Sequence, residues 1–287
     1  ILTSPIARAI SSINTAISHQ LTRSRTLQFR YFFLLLFLTT IGTSGYYFYT
    51  QIIKDLPDPS VLATTTPILS TKIYDRNGTL LYKLYKQENR SLVSLDQIPL
   101  HLQHATIAIE DQDFYTHSGI SLRGIVRAFK VNLTTDKFEG GSTITQQLIK
   151  NTLLTSERTM TRKLKEALVS ILTEFYFTKD EILAMYFNQV PYGGTAYGIE
   201  EASQMYFGKS VTEIDLAESA FLAGLPAAPT TFSPYGTNPT LAKSRQVQVL
   251  NRMVEDGYIA ESEAQIATNK PIAISPHKNP IHAPHFV

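Results

Sequence analysis

Glu110 and Asp111 form a carboxylate pair at the end of an apolar, helix-like stretch, Ala105 to Ile109, and Phe114, Tyr115, His117 and Gly119 follow closely. A carboxylate at the edge of an apolar, aromatic setting has its charged form disfavoured. That raises its pKa toward the range useful for proton transfer. Further on come Gly140-Gly141-Ser142-Thr143-Ile144-Thr145-Gln146-Gln147-Leu148-Ile149-Lys150-Asn151 and then Arg162-Lys163-Leu164-Lys165-Glu166. Two acidic centres, Glu110 and Glu166, are thus separated by a polar Gly/Ser/Thr/Gln loop and several cations. That arrangement suits chemistry on a sugar whose leaving group is a phosphate.

Each feature also has a plainer structural reading. The run from Gly140 to Lys150 fits a loop feeding a helix N-terminus, which binds anions through its N–H groups and dipole. It lacks the order of a P-loop. Ser142-Thr143 also fits a simple helix cap, and Gln146 and Gln147 a solvated helix face. Lys150, Arg162 and Lys163 suit a pyrophosphate leaving group. Arg162 and Glu166 alternatively make an i,i+4 surface pair worth about 0.2–0.5 kcal/mol. His117 has no second His at ligand spacing and reads as a hydrogen-bonding structural residue, so no metal ligands are assigned.

The elements that must position these residues are mostly helical. Leu122, Ile125, Val126, Phe129 and Leu133 make an apolar stripe, with Arg123, Arg127 and Lys130 off it. This helix either faces a core with a basic solvated face or lies on anionic lipid. A second long helix is expected over 156–177, capped by Ser156 and burying Leu164, Ala167/Leu168, Ile171/Leu172 and Phe175. Others follow from Lys179 to near Asn188, over 212–224 (stopped by Gly224 and Pro226), and from Ala242 to Met253 as the last. Tyr192 to Gly198 reads as a Gly-rich loop. Before the helices, Thr71 to Tyr82 reads as a β-hairpin with Asn77-Gly78 in a type I′ turn. Asn77-Gly78-Thr79 also matches a glycosylation acceptor, but the turn accounts for those residues.

The chain has 287 residues, net charge +2 and no cysteine. The charge gives no excess suited to nucleic acid. The missing cysteines exclude disulfides, thiolate metal sites and cysteine nucleophiles. Tyr31 to Ile53 carries no charge. About 23 residues at about 1.5 Å each reach about 34 Å, enough to span a bilayer. Arg8, Arg23, Arg25 and Arg30 precede this stretch, and Lys54, Asp55 and Asp58 follow it. The positive-inside rule then puts residues 1–30 in the cytoplasm and the rest outside. The apolar segment is too long for a signal peptide, and no small-x-small site follows it closely. Residues 54–100 make a Pro-containing stalk and the hairpin, 101–265 the main domain, and 266–287 a linker.

Five runs occur in order: E-D-x-x-F-x-x-H-x-G at 110–119, G-G-S-T-I-T-Q-Q-L-x-K-N at 140–151, R-K-x-x-E at 162–166, E-I-L-x-x-Y-x-N at 181–188 and L-A-G-L-P-x-x-P at 222–229. In these the chain closely resembles the bacterial peptidoglycan glycosyltransferases. That family comprises the glycosyltransferase portion of class A penicillin-binding proteins and the monofunctional transglycosylases. The resemblance covers about residues 70–260, with departures at Phe187 and after Glu174.

The resemblance implies a mainly α, lysozyme-like helical fold with a small β-hairpin after one transmembrane helix, and a membrane-associated jaw near 119–140. It implies polymerisation of lipid II into β-1,4-linked glycan with release of undecaprenyl diphosphate. Glu110 matches the general base and Glu166 the second glutamate on the donor diphosphate side. Ser142, Gln147, Lys150, Arg162 and Lys163 match substrate-contacting positions. A divalent cation (Mg or Mn) near Glu166 is expected from the family alone. The implied partners are lipid II, the growing glycan, membrane lipids and other wall-synthesis proteins. The implied place is the bacterial inner membrane, with the catalytic domain on its outer face. Class A members continue into a transpeptidase domain; Ser275-Pro276-His277-Lys278 matches its motif by letters only, while Ile281 to Val287 resembles the linker toward it, so the resemblance implies that domain beyond residue 287. A lysozyme-like hydrolase or lytic enzyme is the alternative, and a non-enzymatic anchored scaffold the second.

Overall fold

The computed structural model describes residues 5–64, 70–78, 80–84, 89–134, 140–155, 157, 159–236 and 238–275. The chain divides into two units, Ile1–Leu56 and Pro57–Val287.

The first unit is one helix, α1 (Pro5–Phe48), which loosens into a π turn over Tyr49–Ile53. It continues without a break through the boundary at residue 30. The stretch Gln28–Ile53 is long and apolar enough to cross a membrane, and Ile52 is its one buried residue, which supports membrane anchoring. Its hydroxyls are satisfied locally, as expected of polar groups in hydrocarbon. Thr39 and Thr40 donate to the Leu36 carbonyl (2.9 and 2.7 Å), and Thr43 donates to Thr39 (2.9 Å).

The second unit opens with a short helix, α2 (Val61–Thr64), and an antiparallel pair, β1 (Thr71–Tyr74) and β2 (Leu80–Leu84). The hairpin is present but its turn is not type I′. Among the described residues no non-glycine has positive φ, so Asn77 does not adopt the conformation that turn requires. Instead Tyr74 pairs with Leu80 across a longer loop, and the Gly78 amide donates to Asp75 O (3.1 Å). The Asp75 side chain also takes the Asn77 amide (2.8 Å), an Asx turn.

Then follow β3 (Asn89–Arg90), α3 (Leu100–Glu110), α4 (Leu122–Thr134), α5 (Ile144–Thr152), α6 (Met160–Tyr176) and α7 (Lys179–Gln189). Next come β4 (Pro191–Gly193), β5 (Ala196–Tyr197), α8 (Ile199–Phe207), α9 (Leu216–Gly224), α10 (Thr240–Glu255) and α11 (Glu261–Asn269). The Gly-rich loop expected at 192–198 is the β4–β5 hairpin. It joins β3 in a small sheet of order β3-β5-β4, with β3 parallel to β5.

The core lies where α3, α9 and α10 meet, with α5 packed against α6 and α7. Leu102, Ala105, Leu148, Ile182, Leu183, Leu222, Val249, Leu250 and Met253 are buried there. Each large aliphatic side chain so buried contributes about 1.5–3 kcal/mol. Gly119 (φ +88°) allows a close approach of the α3–α4 loop to α6, since a Cβ there would lie 2.6 Å from Ser170 O.

Several helices depart from the sequence expectation. Helix α6 starts at Met160 under a Thr159 cap whose Oγ1 accepts the Arg162 amide (3.1 Å). The expected cap, Ser156, lies outside the described residues. The buried side of α6 is also reversed. Glu166, Val169, Ser170 and Thr173 face inward, while Leu164, Leu172 and Phe175 are exposed. This helix lines a polar site, so its hydrophilic residues pack inside. The helix expected over 212–224 is split by a 3-10 turn (Val211–Glu213). Asp215 then recaps the chain by accepting the Ala217 and Glu218 amides (2.9 and 3.1 Å), so α9 begins at Leu216.

Helix α11 was not anticipated. Its buried residues are only Ala264 and Ala267, which leave a weak apolar period. It crosses the expected linker boundary at 266, and Ile272 and Ile274 still pack on the core beyond it. Residues 276–287, most of that expected linker, lie outside the described residues. On α4, Leu122, Ile125, Val126, Phe129 and Leu133 are all exposed, which removes the core-facing reading. The inward face is Gly124 and Ala128, against which Gly141 packs closely.

Candidate active site

The site forms where α3 ends and α5 begins. Thr143 caps α5 through a capping box, with Oγ1 accepting the Gln146 amide (3.1 Å) and Gln146 Oε1 accepting the Thr143 amide (3.0 Å). Thr143 Oγ1 also donates to Gly119 O (2.7 Å). Gln146 is therefore buried and structural. The α5 N-terminus already holds an anion of the protein's own. Asp111 accepts the Ile144 amide (2.9 Å) and pairs with His117 Nε2 (2.9 Å). The expectation that this terminus receives a substrate anion is corrected to that extent: the amides of Ile144 and Gln146 are taken. His117 has the structural role read from sequence.

Capping by Thr143 turns Gln147 toward the end of α3, where its Nε2 donates to Glu110 Oε2 (2.6 Å). Glu110 is the last residue of α3, and its side chain is 8% exposed. Its Oε1 accepts no hydrogen bond from the described residues, and Arg245 Nη2 lies 3.7 Å away. Burial pushes the Glu110 carboxyl above the ordinary carboxylate range, while Arg245, Gln147 and Lys150 act against that rise. Around it Tyr186 and Tyr192 are buried, and both phenols are raised by burial and by the Glu110 charge.

Glu166, on α6, is 1% exposed and so is not half of a surface pair. Arg162 Nη1 donates to its Oε2 at 3.0 Å. Lys163 contacts Oε1 and also donates to Ser142 Oγ (2.7 Å), which ties the Gly140–Thr143 loop to α6. Two cations on one buried carboxylate balance a charge whose burial alone costs several kcal/mol, about. Among the described residues no group of three or more His, Cys, Asp or Glu could hold a metal ion.

Glu110 and Glu166 line one cavity of about 480 Å³. Of the residues singled out from sequence, Ser142, Gln147 and Lys150 line it too, while Arg162 and Lys163 reach it through Glu166. Sequence reading missed three further cations on its wall: Arg127, Arg245 and Arg252. Arg245, Gln248 and Arg252 follow one another at i, i+3 and i+7 on α10. That polar stripe was the available signal. The cavity therefore has a hydrogen-bonded carboxylate at one wall, an ion-paired carboxylate at another, and several guanidinium and ammonium groups between. It suits proton removal from a hydroxyl beside a polyanionic group.

Comparison with known proteins places these features in a family. The transglycosylase family model matches residues 77–254. Penicillin-binding protein 1A of Aquifex aeolicus is 46% identical over 228 residues, covering 79% of this chain and 31% of that protein. Penicillin-binding protein 1A of Escherichia coli is 41% identical over 241 residues, covering 83% of this chain and 28% of that protein. The crystal structure of penicillin-binding protein 1A from Haemophilus influenzae aligns over 75% of this chain and 22% of that one, at 26% identity and a TM-score of 0.45. The chain spans about a third of the length of the curated relatives it matches. With the matched region spanning both glutamates and the helices that hold them, the chain belongs to the transglycosylase family of peptidoglycan glycosyltransferases.

Proposed function

We propose that this domain polymerises lipid II into β-1,4-linked glycan by one inverting displacement. The observation that carries the reading is the shared cavity, in which Glu110 and Glu166 lie together with Ser142, Gln147, Lys150 and three arginines. Glu110 accepts the proton of the acceptor 4-hydroxyl. Its Oε1 is buried and accepts no hydrogen bond from the described residues, which leaves a lone pair to take that hydroxyl's proton. Gln147 holds the other oxygen. The acceptor oxygen attacks the anomeric carbon, the bond to the diphosphate breaks, and undecaprenyl diphosphate leaves with the electron pair. Lys150 and the Arg162–Lys163–Glu166 cluster sit on the leaving-group side and stabilise the charge that develops there. The donor is α-linked and the product β-linked, so no covalent sugar–enzyme intermediate is required.

A divalent ion near Glu166 would have one protein carboxylate, already paired with Arg162 and Lys163. That donor set does not fit a resident ion. We assign the exposed stripe of α4 to the membrane, with the N-terminus cytoplasmic and the domain on the outer face. The four arginines before the apolar stretch of α1 and the exposed stripe support this arrangement.

A lytic enzyme would share a glutamate in a helical cleft but has no use for so many cations. The two readings separate by product length. The detergent-solubilised chain is incubated with labelled lipid II and, separately, with preformed sacculi. The polymerase lengthens the first and leaves the second intact; shortened sacculi without polymer would establish the lytic reading.

A further inference from the structure

Arg245 belongs to none of the runs that single out this site, yet its side chain is 14% exposed and it lies beside a glutamate that is 8% exposed. Its Nε donates to Gly224 O (3.3 Å), Nη1 donates to Gln248 Oε1 (2.8 Å), and the guanidinium carbon sits 5.5 Å from the Phe232 ring centroid. Gly224, the last residue of α9, makes room for it: a Cβ there would lie 2.7 Å from Arg245 Cγ. A long, rotamer-rich side chain is thus held on three sides, with Nη2 left 3.7 Å from Glu110 Oε1.

The groups around Glu110 divide by role. Next to it in the chain, Asp111 is committed to His117 and the Ile144 amide. From α5 come Gln147, a neutral donor, and Lys150, which is exposed. Tyr186 of α7 and Tyr192 of β4 are buried phenols that stay neutral. Glu166, Arg127 and Arg252 line the same cavity. Burial drives the Glu110 carboxyl toward its protonated form, and Arg245 is the strongest influence against it.

We infer that Arg245 is a positioning residue for the reaction: fixed by Gly224, Gln248 and Phe232, it keeps Glu110 ionised and aimed at the cavity before the acceptor arrives. This rests on Glu110 being the base. Removing the cation leaves a buried carboxylate that takes up a proton at higher pH. An opposite charge at this range shifts a carboxylate by about 1–3 pH units.

The test uses the full chain with Arg245→Gln and Arg245→Lys. The pH profile of kcat/KM on lipid II is measured for each. The Gln variant moves the acidic limb upward by about one unit or more, and recovers toward wild type at high pH. The Lys variant keeps the limb in place. Melting temperatures are measured in parallel, with and without Glu110→Gln. At neutral pH Arg245→Gln lowers the melting temperature, and adding Glu110→Gln restores it, because no unpaired charge is then buried. An unmoved acidic limb, or a melting loss equal in both backgrounds, would reduce Arg245 to a packing residue and overturn the inference. A wild type that makes no polymer would defeat the glycosyltransferase reading instead, and the melting comparison would still decide the Arg245–Glu110 pair.

Discussion

Gly119→Ala tests how the site is assembled. Gly119 has φ +88°, and a Cβ there would sit 2.6 Å from Ser170 O, 2.7 Å from Ser170 C and 2.8 Å from Ile171 N. These are backbone atoms in the middle of α6 and cannot rotate away. The conformational cost for an L side chain is about 1–2 kcal/mol, and forcing a methyl into a packed contact adds about 1–3 kcal/mol. The sum is about 2–5 kcal/mol. At about 2–4 °C per kcal/mol for a domain of this size, the melting temperature falls by about 4–20 °C. Two other glycines separate the contributions. Gly78 has φ +82° with nothing within 4 Å of the added Cβ, so Gly78→Ala loses only the conformational part, about 1–2 kcal/mol. Gly140 has open space and no positive φ, so Gly140→Ala leaves the melting temperature near wild type. The clash also pushes on α6 one turn from Glu166, so Gly119→Ala loses polymer yield while Gly78→Ala keeps it. The assay is thermal unfolding of the four proteins in one detergent. Gly119→Ala melting no lower than Gly78→Ala would refute the close packing of this loop on α6.

Lys163→Met removes one of two cations from buried Glu166 and costs about 1.5–3 kcal/mol, the range of a charge-assisted hydrogen bond. Combined with Glu166→Gln the loss shrinks, and additive melting shifts would contradict the pairing. Glu110 gives the protein a pH signature. Its folded pKa is raised, so its contribution to stability is full below the usual carboxylate pKa and is lost as pH rises through the folded value. Wild type therefore loses melting temperature above about pH 4.5 more steeply than Glu110→Gln, and parallel curves would count against the raised pKa. The chain contains no tryptophan, so Phe129→Trp gives a single probe on the exposed face of α4. Its emission shifts blue in vesicles and is quenched by brominated lipid; solvent-like emission would put this face in water.

The sequence made some parts of this architecture legible and concealed others for identifiable reasons. Glu110 stood out because an apolar helix ends on it beside aromatic residues, and that is how α3 presents it. Glu166 was harder, because an i,i+4 arginine is the commonest surface arrangement; its burial comes from the packing of α5 and the loop before it, which no local pattern records. Periodicity found the stripe on α6 but not its direction. A stripe marks a face without saying what covers it, and here the covered face holds Glu166, Ser170 and Thr173. The same limit left α4 undecided by periodicity alone; in the structure Gly124 and Ala128 face inward and the apolar stripe is exposed. Arg245 left only a polar stripe on α10 as its signal, because its meaning lies in the meeting of α10 with the end of α3. The Asn77-Gly78 turn failed through register, since pairing Tyr74 with Leu80 leaves a loop too long for a two-residue turn.

The central claim is that Glu110 removes a proton from the acceptor sugar in a glycan-building reaction. It is tested most directly by incubating wild type and Glu110→Gln with labelled lipid II and separating the products by glycan length. The account predicts long polymer from wild type and a rate about 10²–10⁴-fold lower from a folded Glu110→Gln. Equal polymer from both proteins would contradict it.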